Sequence, residues 1–216
     1  MSMQHIDLIC VGKMNAAYLA AGVAEYQKRL AAFCDFRVME LPEETIQEKN
    51  AGPAVIEKAL EKEGRAILAS VRRGAGIVAL CVEGKGLSSE ELAAFVAQRA
   101  VSGAGDLAFV IGSSHGLAPM VKQAAALRFS LGRVTLPHQL ARLVLAEQIY
   151  RAFTINHHVK YHKEAFCLPR PPFAVGLLFT KAAGADIINS DQKRAEQRRG
   201  RRWRRSCSGW RARWNT

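Results

Sequence analysis

Apolar residues along the first 160 positions come in two rhythms that take turns. Short solid runs alternate with longer stretches at helical spacing. "IDLICVG" reads as a strand, and "AAYLAAGVAEYQKRLAAF" as a helix with Tyr18, Val23, Tyr26 and Leu30 near one face. "DFRVMELP" is a strand stopped by Pro42, and "AVIEKALEKEGRAILASV" is a helix of strong helix formers. "GIVALCVEG" is a strand between glycines, followed by the helix "SSEELAAFVAQRAV", where Ser88 and Glu91 are spaced as a capping box. "DLAFVIGSSHG" is a strand that runs into a loop of small residues. "APMVKQAAAL" is a short helix, "RFSLGRVTL" a strand or strand-loop, and a last helix follows Pro137.

Strands that alternate with helices predict an α/β fold with a mostly parallel sheet. Ligands of such sheets bind beyond the carboxyl ends of the strands. That puts "CVEGKG", "IGSSHG" and "LGRVTLPH" on one rim, each a glycine-bearing loop after an apolar strand. The pattern alone therefore predicts one crevice built from three loops.

The last helix is unusual. Leu140, Leu143, Val144, Leu145, Ile149 and Phe153 cover more than one face. A helix apolar on several sides has to be covered on several sides. A plain core helix of a monomer would meet that need, and so would a helix shared between its own sheet and a second subunit. Glu147 and Arg151 are four apart and can pair, which is worth only about 0.2–0.5 kcal/mol. That is too little to explain an arginine beside so much apolar surface, so Arg151 is a candidate for contact with a phosphate or a reacting base.

Composition adds limits. The chain has 216 residues, and its hydrophobic content of 49% is enough for a sizeable core. No apolar run approaches the roughly 18 residues of a membrane span, and the N-terminal run reads as a strand rather than a signal peptide. The five cysteines include no CxxC pair, so neither zinc nor a disulfide framework is expected, and the cytoplasm is the expected compartment.

The charge is uneven. Residues 164–216 hold twelve Lys/Arg against four Asp/Glu, +8 of the formal +12, leaving +4 for the first 163. The expected organisation is a domain over 1–163 and a basic, low-complexity, disordered extension over 164–216. A basic tail suits polyanions, nucleic acid above all. Trp203, Trp210 and Trp214 could stack on bases there. The apolar residues inside it favour instead an unselected extension.

The segments "IVALCVEGKGLSSEELA", "FVIGSSHGL", "FSLGRVTLPHQLARLVLAEQIYRAFTI" and "KYHK" resemble the ribosomal RNA large subunit methyltransferase H family. The resemblance runs from Ile6 to about Lys163. It implies a SPOUT-type α/β knot, a deep trefoil knot, and a homodimer that methylates N3 of a pseudouridine in 23S rRNA of the ribosome. It implies S-adenosyl-L-methionine as the cofactor, held by Leu80, Gly112, Leu131, Gly132, Arg133, Val134, Thr135 and Leu136. Arg151, His162 and Tyr161 are the candidate catalytic residues, with His138 and Arg142 as further candidates, and the resemblance implies that the "KYHK" end with His162 lies near the active site. No metal and no membrane are implied.

The chemistry is an in-line displacement that rewards alignment, and an imide proton has to leave the target nitrogen. A base would help, or a cation beside the imide anion. His157 and His158 read as solvated surface, and His115 as a loop residue.

Three departures from the family pattern stand out. Ser113 replaces a usual second glycine, a costly change if that position has positive φ. Cys81 stands where an aspartate is common. The chain runs on past the "YHK", which would obstruct a site that uses a free chain end. The rival readings are a SPOUT enzyme for another RNA, a non-catalytic RNA-binding or ribosome-assembly protein of this fold, and a generic nucleotide-binding α/β protein.

Overall fold

The computed structural model describes residues 3–46, 52–101 and 105–161. The boundary expected at Lys163 and the extension over 164–216 lie outside the described residues.

The elements follow the alternation in the sequence. They are β1 (His5–Val11), α1 (Ala17–Leu30), β2 (Asp35–Leu41), α2 (Pro53–Ser70), β3 (Gly76–Gly86), α3 (Ser89–Val101), β4 (Leu107–Ile111), α4 (Pro119–Ala124), β5 (Leu127–Ser130) and α5 (His138–Asn156). The five strands form one sheet in the order β2-β1-β4-β3-β5, and every pairing is parallel. All five carboxyl ends therefore open on one rim. β4 lies in the middle and is buried along its whole length, which is why it reads as a solid apolar run.

Alternate strand residues feed opposite layers. Ile6, Leu8 and Phe109 pack with Leu30 of α1, Leu92 and Val96 of α3, and Leu145 and Ile149 of α5. Ile9, Val11 and Val110 pack with Ile67 of α2 and Val121 of α4. Burial of each such side chain is worth about 1.5–3 kcal/mol.

The helix starts obey local chemistry. Pro53 occupies the first turn of α2, where its missing N–H costs nothing. The Ser88 N–H donates to Glu91 Oε2 at 2.7 Å, and the Glu91 N–H donates to Ser88 Oγ at 3.2 Å, a complete capping box. In α1 the buried stripe is Leu19, Val23 and Leu30, whereas Tyr18 is 77% exposed. The spacing expectation for Tyr18 is corrected: it stands one position off that stripe.

No residue of α5 is exposed. The helix packs on the sheet and contacts both α1 and α3, so its own chain covers it on three sides. The approach to α1 is close at Gly22, where an added Cβ would lie 2.8 Å from Leu143 Cδ1. Much of the all-round apolar pattern is thus explained within one chain. Leu140, Leu143 and Val144 remain half-buried.

The end of α5 is a Schellman turn. The Val159 N–H donates to the Thr154 carbonyl at 2.9 Å and the His158 N–H to the Ile155 carbonyl at 3.1 Å. His158 takes the left-handed position, φ +54°, where glycine is usual. The turn sends Tyr161 back along the helix it has just left.

Candidate active site

Three loops at the carboxyl rim enclose a cavity of about 350 Å³. The first comes from β3. Its pairing with β5 slips, because Leu80 and Lys85 both face Phe129, so residues 81–84 leave the ladder. Gly84 permits this, since a Cβ there would lie 2.6 Å from the Phe129 backbone. The displaced Cys81, Val82 and Glu83 form one wall.

The loop after β4 forms the second wall. The Gly116 N–H donates to the Ser113 carbonyl at 3.0 Å. Gly112 sits under this turn, and a Cβ on it would come within 2.1 Å of the Gly116 carbonyl oxygen. Gly116 carries the positive φ, +93°. Ser113 does not, so the strain considered for that serine is absent.

The third loop follows β5 and contributes Leu131, Gly132, Val134, Thr135 and Leu136. Gly132 has φ +130° and, like Gly116, faces open space where a side chain would begin. His138 and Ala141 at the start of α5 close the floor. Of the residues expected to hold a cofactor, Leu80, Gly112, Leu131, Gly132, Val134, Thr135 and Leu136 line this one cavity. Arg133 is exposed and does not line it.

Carboxylates brace the rim. Buried Glu63 of α2 accepts the Ser113 hydroxyl at 2.9 Å and the Glu44 N–H at 3.0 Å. Glu43 accepts the Ser114 hydroxyl at 3.2 Å. α2 approaches closely here because of Gly64, where a Cβ would lie 2.7 Å from Ala118 Cβ. The glycine within "KEGRA" was the sequence signal for this contact, and nothing marked Glu63 itself.

The remaining candidates separate. Arg142 has no exposed side-chain surface. Its guanidinium donates to the Val11 and Gly12 carbonyls at 2.7 and 3.0 Å and to Glu40 at 3.0 Å. It ties α5 to the ends of β1 and β2 with no surface left for a substrate, which corrects its candidacy as a base or a cation beside the imide.

Arg151 is at the far end of α5. It pairs with Glu147 at 2.5 Å, and its guanidinium lies 5.1 Å from the Tyr161 ring centre. Tyr161 also meets the Tyr150 ring edge-on at 4.8 Å and approaches Glu147 with its hydroxyl at 3.4 Å. Burial, then a hydrogen bond with Tyr26, pushes the Tyr161 phenol up to about 12. Burial opposes the Arg151 charge, but the Glu147 hydrogen bond and charge outweigh it and raise its pKa above the usual arginine value. At neutral pH this cluster offers a cation and a neutral phenol. Arg151 and Tyr161 do not line the cavity, and His162 lies outside the described residues.

A family model described as "Predicted SPOUT methyltransferase" matches residues 3–162. The ribosomal RNA large subunit methyltransferase H of Streptococcus uberis is 48% identical over 158 residues, 73% of this chain and 99% of the relative. The enzyme of the same name from Ligilactobacillus salivarius is 49% identical over 159 residues, 74% of this chain and 99% of the relative. That from Carboxydothermus hydrogenoformans is 45% identical over 158 residues, 73% and 99%.

The chain belongs to the ribosomal RNA large subunit methyltransferase H family, within the SPOUT methyltransferases.

Two of the three departures from the usual pattern of this SPOUT methyltransferase family, Ser113 and Cys81, lie in the cavity wall. Ser113 is bonded to Glu63 in an ordinary backbone conformation. Cys81 is half-buried in the cavity wall, its thiol pKa raised by burial and by the nearby Glu83 charge. Among the described residues no cluster of three or more His, Cys, Asp or Glu is arranged to hold a metal. No helix among them is long and apolar enough to cross a membrane. His157 is exposed as expected, yet it also packs 5.1 Å from the Phe33 ring.

Proposed function

We propose that this methyltransferase uses S-adenosyl-L-methionine to methylate N3 of a pseudouridine in 23S rRNA, acting as a cytoplasmic homodimer. The observation that carries the reading is the convergence of three strand-end loops on one cavity with bare glycine backbone at Gly116 and Gly132. The name that the relatives bear supplies the large-subunit rRNA.

The residues present fit the cofactor. The cavity volume falls in the range for small-molecule sites, and its lining is mainly apolar with exposed backbone. Leu80, Gly112 and the 131–136 loop would hold it. When bound, it supplies a methyl group on a positively charged sulfur. The chain's own part is to bind, to orient and to manage one proton. Small residues let the backbone close on an adenosine, and the fixed loops hold the reacting atoms in line.

Arg151 supplies a fixed positive charge for the imide anion, and Tyr161, kept protonated, can donate a hydrogen bond to the base. Along α5, Arg151 is thirteen residues beyond His138, about 20 Å at 1.5 Å per residue. This separation favours a composite site in which one copy's cavity meets the α5 end of another copy. A catalytic role for His162 and the deep trefoil knot that the family resemblance implies belong to the same proposal. The mildly basic body suits an RNA substrate.

The test is methyl transfer from labelled S-adenosylmethionine to large ribosomal subunits lacking the modification, with the full chain. Arg151→Ala is expected to lower transfer by about 10²-fold with cofactor affinity unchanged. Cofactor binding by the wild type with no transfer to rRNA would overturn the reading in favour of a non-catalytic ribosome-assembly role.

A further inference from the structure

The cavity wall is almost free of charge. Among the described residues that line it, Glu83 and Lys122 are the only Asp, Glu, Lys or Arg. They come from different elements, the displaced segment of β3 and helix α4. They pair with each other, Lys122 Nζ to Glu83 Oε1 at 2.6 Å. The pair is partly exposed, with side-chain accessibilities of 29% for Lys122 and 52% for Glu83. Such a pair contributes little to stability, so the fold does not depend on keeping it closed.

We propose that Glu83 and Lys122 form a subsite for a zwitterionic α-amino-acid group. This rests on the functional reading above and names the part of the cofactor that the two side chains meet. An α-amino acid carries an ammonium and a carboxylate on one carbon. Set antiparallel to the Glu83–Lys122 pair, it replaces one ion pair by two: its carboxylate accepts from Lys122 and its ammonium donates to Glu83. The exchange conserves charge and leaves neither side chain without a partner. The lysine beside it also keeps Glu83 well ionised, the Lys122 hydrogen bond lowering its pKa. The rest of the lining, apolar side chains and bare backbone with the hydroxyls of Ser113, Ser130 and Thr135 and the imidazoles of His115 and His138, is left for the nucleoside.

The experiment is calorimetric binding to the full chain, for the wild type, Glu83→Gln and Lys122→Met. The ligands are S-adenosylmethionine, S-adenosylhomocysteine and 5′-methylthioadenosine, which has the nucleoside and sulfur but no amino-acid group. Each substitution is expected to weaken the first two by roughly tenfold, the loss of one charge-assisted hydrogen bond, and to leave methylthioadenosine unchanged. The unchanged ligand also shows that the variant is folded.

Equal weakening of all three ligands would make the pair a structural latch and overturn the assignment. Weakening of S-adenosylmethionine alone would put Glu83 beside the charged sulfur and overturn it too. No change in any ligand would do the same while leaving the functional reading intact. A wild type that binds none of the three would sink the functional reading itself.

Discussion

The Ser113 hydroxyl donates to Glu63 Oε2 across 2.9 Å, and both residues are buried. A helix carboxylate thus holds the loop that closes one side of the cavity. Ser113→Gly is expected to destabilise the protein by about 1–3 kcal/mol, because it removes a partner from a buried charge and relieves no backbone strain. Urea unfolding would measure it. A gain in stability would mean that the serine is strained after all.

Arg142→Met should be costly. It strips Glu40 of its buried cation and leaves the Val11 and Gly12 carbonyls short of a donor. A loss of about 3–5 kcal/mol is expected in chemical denaturation. Arg142→Lys should recover only part of it, since one ammonium cannot reproduce the forked contact.

His158→Gly should stabilise. The left-handed position costs a side-chain-bearing residue roughly 1–2 kcal/mol, and glycine gives some of that back as unfolded-chain entropy. A net gain of about 0.5–1 kcal/mol is expected, read as a higher melting temperature. If stability falls instead, the stacking in this corner outweighs the backbone.

Alkaline pH should loosen the fold through two thiols. Burial pushes Cys10 and Cys34 up to about 12 from 9.0. The unfolded chain releases these protons first, so the stability they confer is complete below pH 9.0 and fades as pH rises to about 12. Urea unfolding at about pH 8 and about pH 10 should show a smaller drop in Cys10→Ala and Cys34→Ala than in the wild type. Thiolate absorbance of the native protein should appear late.

A composite site has a complementation signature. Gly112→Val disrupts the cavity wall, because a Cβ there would lie 2.1 Å from the Gly116 carbonyl oxygen and force the turn to shift. Arg151→Ala removes the proposed cation. Each variant alone should be nearly inactive, with the mass of the proposed dimer retained in light scattering. After unfolding and refolding together, half of the dimers are mixed and each has one intact site, so about a quarter of the wild-type rate should return. No recovery would place both functions in one chain.

The sheet was legible because its strands are solid apolar runs between glycine, proline and polar breaks. β1 and β4 are buried on both faces, so nothing local competes with that signal. The three rim loops were legible because glycines follow those runs. The slip of β3 against β5 was not, since it depends on how Gly84 meets the Phe129 backbone, a contact 45 positions away. Nor did sequence spacing bring Arg151 to Tyr161. That contact needs the turn at His158, where the usual glycine marker is missing. Arg142 was a candidate for the chemistry because its structural partners, Glu40 and the end of β1, are distant in sequence.

The enclosure of α5 has a consequence for synthesis. This helix is the last described element made, yet Leu145, Ile149 and Phe153 cover a face shared by Leu8 of β1 and Phe109 of β4. Until about residue 153 has left the ribosomal tunnel, a nascent chain presents that apolar face to its surroundings. Chaperone demand during translation should therefore peak between completion of β5 and emergence of α5.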